Sequence, residues 1–204
     1  MAARARTIPR KNPVQERSRD TVDAILAATA RVLVKDGYEG ASTNRIAAAA
    51  GCSIGSLYQY FPSKEALVAA LIDRHQHAMN DILTTELARV AQAPLPEATR
   101  ALVRALLDAH ALSPKLHKVL AEQVPRTGKL EAFHDFERRA VMLVHAKLET
   151  RKDELRKKDL ALAARVIVTA VEALTHSAVY DPELLRDPRY GEEIADLALR
   201  YLVD

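Results

Sequence analysis

The sequence predicts an all-α protein of about nine helices, and three observations carry that prediction. The 204 residues are 49% hydrophobic but only 4% aromatic, contain no tryptophan, six glycines and nine prolines, and are rich in alanine and leucine. Such a composition favours helices over sheets. Apolar residues recur at three and four along most of the chain, and no segment alternates with the period of a strand. The length suits one medium domain or two small ones with buried cores.

The first helix is predicted from Val14 to Lys35, with Val22, Ile25, Leu26, Thr29, Ala30 and Leu33 forming its inward stripe. Residues 37–64, GYEGASTNRIAAAAGCSIGSLYQYFPSK, follow and hold four of the six glycines. Glycine is the residue that turns a backbone sharply at least cost. Ser42 caps a second helix, Thr43 to about Ala50, whose Ile46, Ala47 and Ala50 face inward. Gly51 lies just past its last turn, where a left-handed residue ends a helix. Ser53 then caps a third helix, Ile54 to Tyr60, with Leu57 and Phe61 as its buried pair and Pro62 as its stop. Two short helices joined by this tight turn make a helix-turn-helix, which points to DNA. The third helix turns Ile54, Gly55, Ser56, Tyr58, Gln59 and Tyr60 outward. Its small N-terminal end suits entry into a major groove.

Ser63 caps a fourth helix running to about Ala91, on the order of 40 Å long, with Leu67, Leu71, Met79, Ile82 and Leu83 along it. Pro94, Pro96, Pro114, Pro125, Pro182 and Pro188 divide the remainder. Between them helices are predicted over 96–111, 114–123, 128–153, 158–180 and 190–203. The domain division is an arm over 1–13, a helix-turn-helix domain over 14–62, and a bundle over 63–204 that opens with the connecting helix 63–91. Residues 160–180 are apolar enough to span a membrane, but Arg165 and Glu172 argue against it, because a charge in mid-bilayer is expensive. A helix apolar on nearly all sides is covered twice, once by its own bundle and once by a second copy of the chain. Ala164, Val168, Val171 and Thr175, with Ile194, Leu197, Ala198 and Tyr201 of the last helix, are the expected faces of an isologous dimer. A two-fold axis would then set the two recognition helices one DNA turn, or a multiple of it, apart.

Charge is uneven. Residues 1–65 hold ten Lys or Arg against six Asp or Glu, a net +4, while the rest hold twenty against twenty-one, a net −1. Positive charge therefore accompanies the helix-turn-helix. Arg4, Arg6, Arg10 and Lys11 form a basic arm, either a phosphate or minor-groove ligand or a solvated tail. Arg17 and Arg19 open the first helix as backbone contacts. One cysteine, Cys52, rules out an intramolecular disulfide and reads as a small buried hydrophobe. The arginine-rich N-terminus has no apolar run behind it, which is consistent with a cytoplasmic protein.

From about Arg19 to Leu71 the order, spacing and residue types of DGYEGAST, NRIAAAAG, S-x-G-S-L-Y-x-Y-F and P-S-K-E-A-L resemble the N-terminal domain of the TetR family of bacterial transcriptional repressors. The departures from that pattern lie at Asn44 and Gln59, where operator preference is partly set. The resemblance implies a dimer on a pseudo-palindromic double-stranded operator. It implies Thr43 on phosphate, Asn44 on a base, and Ser53, Ile54, Gly55 and Ser56 against bases or neighbouring phosphates. Tyr58 would clamp phosphate, Gln59 and Tyr60 would follow it, and Lys64 would pin the DNA backbone. The alternatives are Tyr60 packed on the first helix and Lys64 as a solvated charge.

A regulator of this type releases DNA when a small effector binds the C-terminal bundle. Met79, Leu83, Leu106, His110, Leu116, Leu120, Phe133, Phe136, Met142 and His176 are the candidate lining, and they suit a lipophilic ligand. The same residues also read as core. His75 with His77 and His110 with His117 lack the i, i+4 spacing of a helical metal pair, so no metal and no cofactor is expected. No nucleophile elbow, P-loop or dinucleotide fingerprint is present, and an enzyme is not expected. The rival readings are an effectorless architectural DNA-binding protein and a helical enzyme or carrier.

Overall fold

The computed structural model describes residues 16–127, 130–157 and 159–203, and the side chains of all but 16, 17, 124–127 and 130–136 among them. The basic arm over 1–13 and the side chains of Arg17, Phe133 and Phe136 lie outside what is described. Ten α-helices follow in chain order, with no strand among the described residues: α1 (Glu16–Gly40), α2 (Thr43–Ala50), α3 (Ile54–Tyr60), α4 (Lys64–Arg89), α5 (Leu95–Ala111), α6 (Pro114–Thr127), α7 (Leu130–Glu149), α8 (Leu160–Ala178), α9 (Pro182–Arg186) and α10 (Pro188–Val203). A 3-10 turn, Lys152–Glu154, precedes α8. The helix beyond the predicted count is α9, which Pro182 opens and the Asp181 carboxylate caps by accepting from the Glu183 and Leu184 amides, both at 3.1 Å. Gly37, at φ 68° and ψ 178°, breaks α1 before its last residues.

Among the described residues, contacts form two compact units, one within 16–75 and 115–132 and one within 76–114 and 133–203. The division falls within α4 after His75, not at Pro62, and α6 is grouped with the first unit. Ile25, Leu33, Ile46, Leu57, Phe61 and Leu67 are the largest apolar side chains buried in the first unit. Thr29 is fully buried among them, and its hydroxyl is satisfied by donating to the Ile25 carbonyl oxygen at 2.8 Å.

In the second unit one apolar cluster gathers Leu95, Leu148, Leu160, Ala163, Ala164 and Leu199. A second gathers Val103, Leu107, Val171, Ala178 and Ile194, and Ile167 packs against both. The α10 backbone comes close to α5 at Gly191, where a Cβ would stand 3.2 Å from Leu107 Cδ1. At their surface Arg100 donates to Glu192 at 2.9 Å and to Asp196 at 3.0 Å. Lys147 and Arg151 satisfy the Ala91 and Ala93 carbonyls after α4.

The second unit corrects the expected dimer faces. Ala164, Val171, Thr175, Ile194 and Ala198 are all buried within the unit's own core, so they are not free for a second copy to cover. Val168 and Tyr201 are half-buried, and Leu197 alone of that set is well exposed, at 50%. The outward residues of α8 are Leu162 and Val166, at 55% and 40% exposure, with Arg165, Thr169 and Ala173. The helix is long and apolar enough to cross a membrane. Its buried stripe and the exposed Arg165 describe a bundle helix instead.

Candidate nucleic-acid interface

The geometry of α2 and α3 is set by short-range hydrogen bonds. Ser42, in an extended conformation, accepts from the Arg45 amide through its side chain at 3.3 Å. Gly51 adopts φ 69° and ψ 26°, a left-handed position that a side chain would strain, and the Cys52 amide returns to the Ala47 carbonyl oxygen at 3.1 Å. Ser53 then caps α3, accepting from the Ser56 amide at 3.0 Å. Phe61 leaves the helix in an extended conformation, as the residue before a proline does. Each cap satisfies an amide that a helix end would otherwise leave orphaned. Of the four glycines in this stretch only Gly37 and Gly51 have positive φ; Gly40 and Gly55 do not turn the chain in that way.

Leu57 is the fully buried residue of α3. At about 100° per residue, Gly55 and Gln59 then fall within about 20° of the direction opposite Leu57, Tyr58 stands about 100° round from Leu57, and Ile54 about 60°. All four are exposed, Ile54 at 36% and Tyr58 at 41%. A Cβ built on Gly55 would meet nothing nearer than Ser53 Oγ at 3.8 Å. Neither backbone conformation nor packing requires a glycine there.

The hydroxyls of this surface pair off. Thr43 Oγ1, at the start of α2, stands 3.1 Å from Tyr58 Oη, so two polar tips from different helices meet at one point. Ser53 Oγ and Ser56 Oγ are 2.9 Å apart. Tyr60, half-buried, turns its hydroxyl back to Ser18 of α1 at 3.0 Å, the packing alternative left open in the sequence. Lys64 is neither a free outward cation nor a plain solvated charge: its ammonium donates to the Tyr38 carbonyl oxygen at 2.8 Å and lies 4.0 Å from the centre of the Tyr38 ring. Asn44 is exposed at the first turn of α2.

Several contributors were not anticipated. Arg45, exposed on α2, is drawn back to Asp36 at 3.1 Å and to the Gly40 carbonyl oxygen at 3.0 Å. Arg31 donates to the Ala49 carbonyl oxygen at 3.0 Å and ties α1 to the end of α2. Tyr38 donates to Glu65 at 3.2 Å. The Arg31 and Tyr38 contacts join residues 18 and 27 apart in sequence, beyond the reach of a local pattern. Cys52 is half-buried, and burial pushes its thiol up, away from the reactive thiolate.

The proposed effector lining divides between the units. Leu116 and Leu120 belong to the first; Met79, Leu83, Leu106, His110, Met142 and His176 belong to the second. Met79, Leu83, Leu120 and His110 are buried, but Met142 is 65% exposed and lines no interior. The rings of His110 and His176 meet edge to face at 5.0 Å, and each Nδ1 is bonded to a carbonyl oxygen of its own helix, Leu106 for His110 and Glu172 for His176. Burial lowers the pKa of His110 and keeps its ring neutral. A groove of about 740 Å³ in the second unit is lined by Glu86, Arg89, Glu97, Arg100, Arg104 and Glu192 among others, none of them in the expected set.

These features define a helix-turn-helix head with an uncharged recognition helix, encoded ahead of an α-helical bundle. Residues 25–71 match the family described as bacterial regulatory proteins, tetR family, and residues 94–202 match the tetracyclin repressor-like C-terminal domain. The chain belongs to the TetR family, whose members are DNA-binding transcriptional regulators. It is 32% identical over 112 residues to the DNA-binding transcriptional repressor TetR of Mycobacteroides abscessus, over 48% of this chain and 59% of that protein. It is 35% identical over 69 residues to the nucleoid occlusion factor SlmA of Actinobacillus pleuropneumoniae, over 34% of this chain and 33% of that protein. The matched segments thus span between about a third and three-fifths of these relatives. Among solved structures, a TetR-family regulator from Mesorhizobium loti superposes with a TM-score of 0.74 at 20% identity, covering 93% of this chain and all of that one. SmeT, repressor of a Stenotrophomonas maltophilia multidrug efflux pump, superposes in its triclosan complex with a TM-score of 0.66 at 22% identity, covering 90% and 92%. At these identities the likeness is one of fold.

Proposed function

We propose that this protein is a dimeric repressor that holds a pseudo-palindromic operator through two copies of α3 and releases it when a small lipophilic effector binds the second unit. The observation that carries the DNA half is the outward face of α3, where Gly55 leaves room for a close approach and the Thr43–Tyr58 hydroxyl pair, which uses one hydrogen between its members, has the other to donate to a phosphate. Asn44, Ser53, Ser56 and Gln59 surround that point. Lys64 keeps two of its three N–H groups for the DNA backbone while the third holds Tyr38. Arg17, Arg19 and the basic arm add sequence-independent charge.

For the dimer the supporting feature is the apolar outward surface of α8 and α10, now read as Leu162, Val166 and Leu197 in place of the buried residues. For the effector, support comes from the triclosan complex of SmeT and from the edge-to-face pair of buried His110 and half-buried His176 inside the bundle. Footprinting the full-length protein on genomic DNA tests the reading: short protected pseudo-palindromes are expected, and uniform coverage at physiological salt would sink it. The match to the nucleoid occlusion factor SlmA favours a second reading, an effectorless architectural DNA-binding protein. Protection of many dispersed palindromes, unaltered by any lipophile, would favour it over the first.

A further inference from the structure

Resting on that reading of α3 as the DNA-reading helix, we infer that Gln59 and Ile54 make the half-site an A·T-rich one, Gln59 by hydrogen bonding an adenine edge and Ile54 by covering a thymine methyl. The other outward side chains of α3 are already engaged or absent. Tyr60 spends its hydroxyl on Ser18. The Ser53 and Ser56 hydroxyls bond each other, and Ser53 also caps the helix. The Tyr58 hydroxyl is paired with Thr43 Oγ1 at 3.1 Å in the same way. Gly55 offers no side chain.

Two side chains of α3 remain: Gln59, an exposed amide, and Ile54, an exposed aliphatic at the first position of the helix. They stand at the two ends of the outward arc that Tyr58 and Gly55 occupy, so a base pair brought close to the Gly55 backbone has the amide on one side and, beyond Tyr58, the branched aliphatic on the other. A side-chain amide donates to one edge atom and accepts from another, the pattern that adenine presents at N7 and N6 in the major groove. An aliphatic group has one favourable partner there, the thymine C5 methyl. Guanine is read chiefly by Arg or Lys in bidentate fashion. The sequence of α3, IGSLYQY, contains neither, and the adjacent Arg45 is drawn back to Asp36 and Gly40.

Selection of binding sites from random duplex DNA, run in parallel with the wild-type protein, Gln59→Ala and Ile54→Ala, tests this. Wild type is expected to enrich a palindrome with A·T pairs in each half-site. Gln59→Ala should flatten the preference at one of those positions and weaken the selected operator roughly five- to 150-fold. Replacing half-site thymines one at a time by uracil, which lacks the methyl, should weaken wild type at one position and leave Ile54→Ala indifferent there. Both residues are exposed, so unchanged melting temperatures certify that the variants are folded. An unchanged base preference in Gln59→Ala, or a half-site of G·C pairs in wild type, would overturn the assignment while leaving the repressor reading standing. No enriched sequence for wild type would overturn both.

Discussion

At the scale of single residues, the DNA-facing surface is marked by a side chain the fold does not ask for and one that the fold already uses. Gly55 has neither a positive φ nor a crowded Cβ direction, yet glycine in a helix costs roughly 0.5–1 kcal/mol relative to alanine. Gly55→Ala should therefore raise the stability of the head by up to about 0.5 kcal/mol, because the site lies in the first turn. The same variant should weaken operator binding at least tenfold if the DNA approaches the backbone there. Denaturant melts and a binding titration on one preparation separate the two effects, and a stabilised variant with unchanged affinity would remove Gly55 from the interface. Lys64 behaves in the opposite way. Because its ammonium holds Tyr38, Lys64→Ala mixes lost packing with lost phosphate contact. Tyr58→Phe is the cleaner probe, since the ring stays and only the hydroxyl shared with Thr43 goes. It should weaken binding by about 1 kcal/mol, the net worth of a typical hydrogen bond, with the melting temperature nearly unchanged.

At the scale of elements, legibility followed the range of the interactions. The caps at Ser42 and Ser53 and the left-handed Gly51 are rules over three or four residues, and the structure has each where the sequence placed it. The bonds from Tyr60 to Ser18 and from Lys64 to Tyr38 span 42 and 26 residues, and no local pattern encodes them. In α8 the failure has another cause. When every face is apolar, periodicity cannot tell inward from outward, and here the small Ala163 and Ala164 are buried while the larger Leu162 and Val166 face out. Small residues let neighbouring helices approach, which fits the burial of the two alanines. The same helix carries Glu172, with one carboxylate oxygen buried and no hydrogen-bond partner for it. Burial first, and the facing Glu137 carboxylate second, push its pKa up from 4.5 to about 7. Between those values the unfolded chain has released a proton that the folded chain keeps, so rising pH costs stability across this window, and the loss is complete above it. Glu172→Gln should thus melt close to wild type at pH 4.5 and a few degrees higher at pH 8. Equal melting temperatures at pH 8 would show that the carboxyl ionises freely in the fold.

At the scale of the whole molecule, a seven-residue recognition helix with no charge is a weak reader by itself, and in the proposed dimer specificity comes from using it twice. A single half-site offers few base contacts, each worth about 1–3 kcal/mol, whereas a two-fold dimer doubles them without a second association cost. The surface that could join two copies follows from an excess of exposed apolar side chains on two neighbouring helices, Leu162 and Val166 on α8 and Leu197 on α10. Chains that remain monomeric seldom expose large apolar patches. A charge on that surface would be desolvated in the dimer and harmless in the monomer, so Val166→Glu with Leu197→Glu should dissociate it without unfolding either unit. Sedimentation should then give a particle of one chain, with helical content retained. Operator affinity should fall by a factor on the order of 100 or more as binding becomes monovalent, while affinity for an isolated half-site stays the same. A variant that sediments as a dimer would move the interface elsewhere, and a monomer with full operator affinity would show that one α3 suffices.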